Sequence, residues 1–258
     1  RELRWALAEL GVDEVLLAGG AHGIAGLVSV ARCTKVVGPG NRWVAAAKHL
    51  VSGLVSIDMP AGPSEVLILA SEGADPARIA ADLLAQAEHD PDAVCLLFTD
   101  RPDVARAVDA EVSRQLEGLP TAATARAALE ANGCALVFPS LPAAAKEGVA
   151  FAAEHVELMG RVAERWASRF VATSGAVFVG SDTPTAFGDY LAGPNHVLPT
   201  GGAARSFSGL SVRDFLRWGR SVSVPAAAAR RLGPPAAALA RFEGLEAHAR
   251  SLDLRSGR

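Results

Sequence analysis

The sequence predicts an α/β protein built on parallel sheets and closed by a small helical tail. Three observations predict it. Short apolar runs rich in Val, Ile and Leu alternate with longer amphipathic stretches, which is the grammar of strand, helix, strand. Glycine turns such as Gly38-Pro39-Gly40 join one run to the next stretch. The pattern then restarts at Glu65, which divides the chain into two sheet-bearing parts.

The chain has 258 residues, 50% hydrophobic and 21% charged, ample for a buried core and typical of a soluble globular protein. A formal net charge of -3 gives no electrostatic case for nucleic acid or an anionic membrane. No apolar run approaches the roughly 20 residues of a spanning helix. The opening Arg-Glu-Leu-Arg-Trp-Ala-Leu is charged and amphipathic, unlike a signal peptide. Cys33, Cys95 and Cys134 are odd in number and widely spaced, so reduced thiols, mostly buried, and a cytoplasmic setting are expected. The first residue is Arg rather than Met, so the expectation is a chain that begins inside a longer protein or has been cut.

Residues 1–10 read as a helix closed by Gly11, and Val12–Ala18 as a short buried strand. Gly19-Gly20 turns into a helix over 21–31. The strand Lys35-Val36-Val37 runs into Gly38-Pro39-Gly40-Asn41, and a helix follows from Arg42 to about Ser52, with Asn41 suited to its N-cap. A glycine turn that opens a helix brings backbone N–H groups close to a phosphate. It serves equally as a tight turn and nothing more. Val55–Asp58 and Glu65–Ala70 read as strands around a loop, Met59–Ser64, stiffened by two prolines and holding Ser64 in place.

Asp75-Pro76 starts the next helix, with Pro at the first helical position. In that helix Gln86 and His89 are three apart, about 60° around the axis, so an amide oxygen and an imidazole share a face. That is half of a metal site, or a solvated polar face. Strands are expected at 93–99, 135–138 and 176–180, and helices at 102–117, 121–131, 142–153 and through about Arg169. Glu154 and His155 sit at a helix-to-strand junction, where adjacent residues share a task as base and second proton handler. A charged helix end is the alternative. Asp189, beside the irregular loop 191–202, is a hard oxygen donor or an ordinary turn acid. In the final helices Glu243 and His248 are five apart, about 140° on an ideal helix, and Gly244 offers the break that lets both converge.

Seven motifs now stand in order: Gly38-Pro-Gly-Asn41, Ile57-Asp-Met-Pro-Ala-Gly-Pro-Ser-Glu65, Gln86-Ala-Glu-His89, Glu154-His155-x-Glu-Leu158, Gly188-Asp-Tyr-x-Ala-Gly-Pro-Asn-His-Val-Leu-Pro-Thr200, Ser208-Gly-Leu-Ser211 and Glu243-Gly-Leu-x-x-His248. Together they resemble the histidinol dehydrogenase family, from near residue 10 to the C-terminal end. The resemblance implies two incomplete Rossmann-like parallel-sheet domains with a small C-terminal helical appendage. Residues 1–65 would be a partial NAD-binding domain, 66–207 the catalytic zinc-binding domain and 208–258 a dimerisation tail. It further implies a homodimer that oxidises L-histidinol to L-histidine through an enclosed aldehyde, with one zinc per subunit and two NAD molecules as hydride acceptors.

By the same resemblance Gln86, His89, Asp189 and His248 bind zinc, His248 coming from the partner's tail, and zinc holds the substrate's amine and imidazole nitrogens. His155 acts as general base and Glu154 activates water. Ser64, Gln86, His89, His155, Asp189, Glu243 and His248 contact substrate, and Asn41 and His22 the NAD. A mixed N/O donor set of this kind suits zinc. The sequence departs from the family's pattern in two places. Family members extend further at the N-terminus, and Ala21-His22-Gly23 stands where Ala-Gln-Ala is usual. Two other readings compete: a related zinc and NAD dehydrogenase of another small alcohol, and an inactive fragment that binds zinc only.

Overall fold

The computed structural model describes residues 2–59 and 62–257. Pro60 and Ala61, in the loop expected to be stiff, lie outside the described residues. The chain forms two compact units, Arg1–Phe215 and Leu216–Arg258.

The first unit opens with helices α1 (Glu2–Glu9) and α2 (Gly20–Ser29), then strand β1 (Lys35–Val36), helix α3 (Arg42–Val51) and strand β2 (Ser56–Ile57). β1 and β2 pair in parallel, with Lys35 beside Ser56. Asn41 caps α3 as its type predicts, its side-chain oxygen accepting from the amides of Trp43 and Val44 at 3.1 and 3.2 Å. The strand expected over Val12–Ala18 is absent: these residues are irregular and exposed. A strand exists through its neighbours, and none of the described residues pairs with this one. Its apolar side chains are left in solvent, Leu17 at 83% exposure.

The main sheet follows. In chain order it comprises β3 (Glu65–Ala70), α4 (Pro76–Ala87), β4 (Val94–Thr99), α5 (Pro102–Leu116), α6 (Ala122–Asn132), β5 (Gly133–Val137), α7 (Leu141–Phe151), β6 (His155–Met159), α8 (Ala167–Phe170), β7 (Ala176–Val179) and α9 (Ala186–Asp189). The long helix expected through Arg169 is instead a 3-10 turn, Ala163–Trp166, running into the short α8. All five strands are parallel, in the spatial order β5-β4-β3-β6-β7. The α/β class read from the sequence is therefore the class of the structure.

β3 is central and buried at every residue, as a parallel strand covered on both faces must be. Alternate side chains serve opposite layers. Val66, Ile68 and Ala70 join Cys95, Leu97 and Met159 beneath α4, α5 and α6. Leu67 and Leu69 join Leu96, Phe98, Val156 and Leu158 beneath α7 and Phe170 of α8. Asp75 accepts from the amide of Ala77 at 2.9 Å and, with Pro76 behind it, fixes the start of α4.

The second unit holds α10 (Ala226–Phe242) and α11 (Glu246–Ser256), packed through Ala237, Ala240 and Ala249. Gly244, at φ +77°, makes the break between them that the sequence offered. No helix among the described residues is long and apolar enough to cross a membrane.

The three thiols differ in a way that labelling reads. Cys95 is buried, its thiol pushed up to about 12 by desolvation, whereas Cys134 is exposed on β5 and Cys33 is half-buried. In the folded protein a thiol reagent should modify Cys134 first and Cys95 only on unfolding. Early modification of Cys95, read by mass spectrometry of peptides, would contradict the packing beneath α4.

Candidate functional site

The site begins where β3 and β6 start. Their register sets Val66 beside His155, which leaves Glu65 facing Glu154. The two acids exchange hydrogen bonds: the Glu65 amide donates to Glu154 Oε2 at 2.9 Å, and the Glu154 amide to Glu65 Oε2 at 3.2 Å. Gly201 donates its amide to Glu65 Oε1 at 3.0 Å. His155 Nδ1 lies 3.1 Å from the Glu65 carbonyl, which can only accept, so the ring carries its proton on Nδ1. The basic Nε2 is left buried with no partner among the described residues.

Burial drives the proton affinities of this pair apart. Desolvation raises Glu154 to about 8, opposed by the Glu65 amide and reinforced by the charges of Glu65 and Asp189. The same burial lowers His155 to about 4; its bond to Glu65 and the charge of Asp189 resist the fall, while His196 and His89 add to it. Near neutral pH the arrangement therefore holds a protonated acid next to an unprotonated imidazole. The Nδ1 of His155 lies 3.6 Å from Glu154 Oε2, so the junction brings together two neighbours that a continuous strand would turn apart.

Two further elements reach this edge. α4 runs back alongside the sheet and ends there, with Gln86 buried in its last turn. His89 lies two residues past Ala87, where α4 stops, with Glu88 as the cap between them. Its ring folds back, with Nδ1 2.8 Å from the Ala85 carbonyl, which leaves Nε2 as the lone-pair nitrogen. From the other side comes α9, with Asp189 at its end, followed by the loop that carries His196.

His196 stacks on His155, ring centroids 5.6 Å apart and planes 18° apart. Its Nδ1 approaches Asp189 Oδ1 to 2.7 Å, yet no donor is aligned with that buried oxygen among the described residues. Single donor atoms of His155, Asp189 and His196 all fall within 4.8 Å of one another. His196 was missed as a candidate, although it stands seven residues past Asp189 inside the longest motif. The signal was Asn195, whose side-chain oxygen takes the Val197 amide at 2.7 Å and turns the loop about His196.

The remaining candidates divide by place. Ser64 lies with Glu154, His196 and Thr200 around a cavity of about 110 Å³ that Gly38, Gly40, Lys48 and Asp58 also line. A buried ion pair, Lys48 with Asp58, anchors that wall. Lys48 donates to the Gly38 carbonyl at 3.0 Å, and the Gly38 amide to Asp58 at 2.8 Å. Gly38 sits at φ +119° with open space where a Cβ would stand, so only glycine keeps this turn unstrained. Asn41 and His22 are exposed, at the head of α3 and on α2. Glu243 and His248 belong to the second unit, both exposed, the first capping α10 and the second in α11.

The family model of histidinol dehydrogenase matches residues 1–256. The chain belongs to the histidinol dehydrogenase family. It is 48% identical over 249 residues to the histidinol dehydrogenase of Thermus thermophilus, covering 95% of this chain and 60% of that protein. To the enzyme of Desulfotalea psychrophila it is 47% identical over 255 residues, covering 97% and 58%. A crystal structure of histidinol dehydrogenase from Elizabethkingia anophelis superimposes with a TM-score of 0.87 at 34% identity, over 96% of this chain and 58% of that one. The chain thus spans about three fifths of the length of these family members.

Because Glu154 is held above the value of 4.5 at which it would ionise when exposed, the folded form keeps a proton that the unfolded chain releases. Stability from this group is fully present below about 4.5 and is lost as pH rises through about 8. In metal-free protein, the fall in urea midpoint between those limits should be smaller for Glu154→Gln than for wild type. Parallel curves would show that Glu154 does not carry the raised value.

Proposed function

We propose that this chain carries the catalytic centre of a zinc- and NAD-dependent dehydrogenase that oxidises L-histidinol to L-histidine through L-histidinal. The observation that carries the reading is the buried, unpartnered Nε2 of His155 beside protonated Glu154 and the undonated oxygen of Asp189, within a family match over residues 1–256. Two orphaned buried acceptors at one edge are the mark of a place meant for a substrate proton or a cation.

The donors present fit zinc. In this reading Gln86, His89 through its free Nε2, and Asp189 hold the ion, and His248 completes the set from a second copy of the chain. Residues 1–65 form the cofactor part, 66–207 the catalytic part and 208–258 the tail that the two copies exchange. Zinc, when bound, supplies positive charge that stabilises a developing alkoxide and favours the ionised form of nearby acids. Ser64 and Glu243 contact the substrate. The turn at Gly38, with Asn41 at the head of α3 and His22 on α2, suits the dinucleotide.

The chain's own groups divide the proton work. His155 accepts the alcohol proton on Nε2, while Glu65 holds the ring through Nδ1 so that the basic nitrogen faces inward. NAD, when bound, would accept the hydride released in each oxidation. Between the two, water adds to the aldehyde carbon, and Glu154, once ionised, takes the proton that water gives up. Burial around both residues keeps bulk water from competing.

A second set of ligands, His155, Asp189 and His196, has its own geometric support, since their donor atoms already lie close together. Zinc content separates the two. His89→Ala should lose most of the metal and His196→Ala should keep it; the opposite result would move the ion to the second set and take His155 away from base chemistry. Assayed with histidinol and histidinal separately, Glu154→Gln should impair oxidation of the aldehyde more than that of the alcohol. Equal losses at both steps would remove the role given to Glu154.

A further inference from the structure

Beneath the site lies a second pair of acids that the chemistry above does not use. Glu157 is 1% exposed in the middle of β6, two residues past His155 and therefore on the same face of the strand. Its Oε1 accepts from the amide of Thr185 at 2.6 Å and also from the Thr185 hydroxyl. Thr185 is the N-cap of α9, the helix that ends in Asp189. Asp82 of α4 lies near enough that its charge, after burial, raises the Glu157 carboxyl. Asp82 stands four residues before Gln86, one turn away along the same helical face.

Glu157 Oε2 is buried with no hydrogen-bond partner among the described residues, so the anchor on Thr185 is made through Oε1 alone.

We propose that Glu157 is a positioning residue whose carboxyl group ties the start of α9 to β6 and so fixes Asp189 beside His155. Helix α9 has only four residues and cannot hold itself by its own ladder. Thr185 anchored on Glu157 gives it a fixed start, and Asp189 one turn later inherits that position. An apolar residue at 157 would fill the same core space, so packing gives no reason for an acid here; the oxygen that accepts both donors of Thr185 does. The consequence for metal binding rests on the zinc reading of the same site.

Three variants test this, each in the full purified protein, by hydrogen exchange of the α9 amides and by zinc affinity in competition with a chromophoric chelator. In Glu157→Gln the amide oxygen still accepts from Thr185, so exchange and affinity should stay near wild type. Glu157→Leu removes the acceptor; exchange at residues 185–189 should accelerate and zinc affinity should fall by about 10–100-fold, as for other groups that orient metal ligands. Wild-type exchange and affinity in the Leu variant, or equal loss in the Gln variant, would overturn the proposal. Should the Leu variant fail to fold, Thr185→Val decides instead, with faster exchange at 186–189 expected and an unchanged profile fatal. Wild-type protein that takes up no zinc would sink the ligand reading alone, and the exchange comparison would still decide the clamp.

Discussion

Pairing of β3 with β6 in one register holds the candidate site together. With Val66 beside His155, Glu65 and Glu154 come close enough to accept each other's amides, and the Glu65 carbonyl meets His155 Nδ1. That register is not set by the polar groups. It is set by the core: a slip of one residue would carry Val66 and Ile68 into the layer of Leu67 and Leu69, and the reverse, along a strand buried on both faces. The apolar layers therefore fix the separation of the acids, and the acids fix the tautomer of the histidine. Site geometry is inherited from packing that lies behind it.

This dependence explains what could be read from the chain. Glu65–Ala70 is an unbroken apolar run after its first residue, and its limits in the structure are those the run suggests. Asp75-Pro76 announced its helix because capping is a local matter. The Glu154-His155 junction was legible for the same reason, since a helix pattern gives way there to a strand pattern. Val12–Ala18 failed as a strand because apolar content proposes a strand but only a neighbour completes one. That α4 stops at Ala87, short of His89, was not legible, because spacing says nothing about where a helix stops. His196 and Glu157 were passed over for a related reason. Both stand inside motifs of the sequence, yet each gains its meaning from contacts that spacing does not show: Asp189 and His155 for the first, Thr185 for the second.

In open parallel sheets the usual ligand crevice lies at the carboxyl ends of the strands, where helix N-termini gather and favour anions. The acids here lie at the opposite end. Glu65, Glu154 and His155 begin their strands, and α4 runs antiparallel to them, so its carboxyl terminus, with Gln86 and His89, arrives at the same edge. Helix C-termini carry partial negative charge, and the Asp189 carboxylate adds to it. Such an edge repels phosphate and favours a cation.

The first sheet presents the other polarity. Its Gly38 turn follows the carboxyl end of β1 and opens α3, whose N-terminus favours an anion. The two ends meet at the small cavity shared by Gly38, Asp58, Ser64 and Glu154, with the Lys48–Asp58 pair holding one wall. A cation and an anion demand opposite fields. Joining the carboxyl edge of one sheet to the amino edge of the next supplies both fields within one cavity's width. Either edge alone would favour one sign of charge and exclude the other.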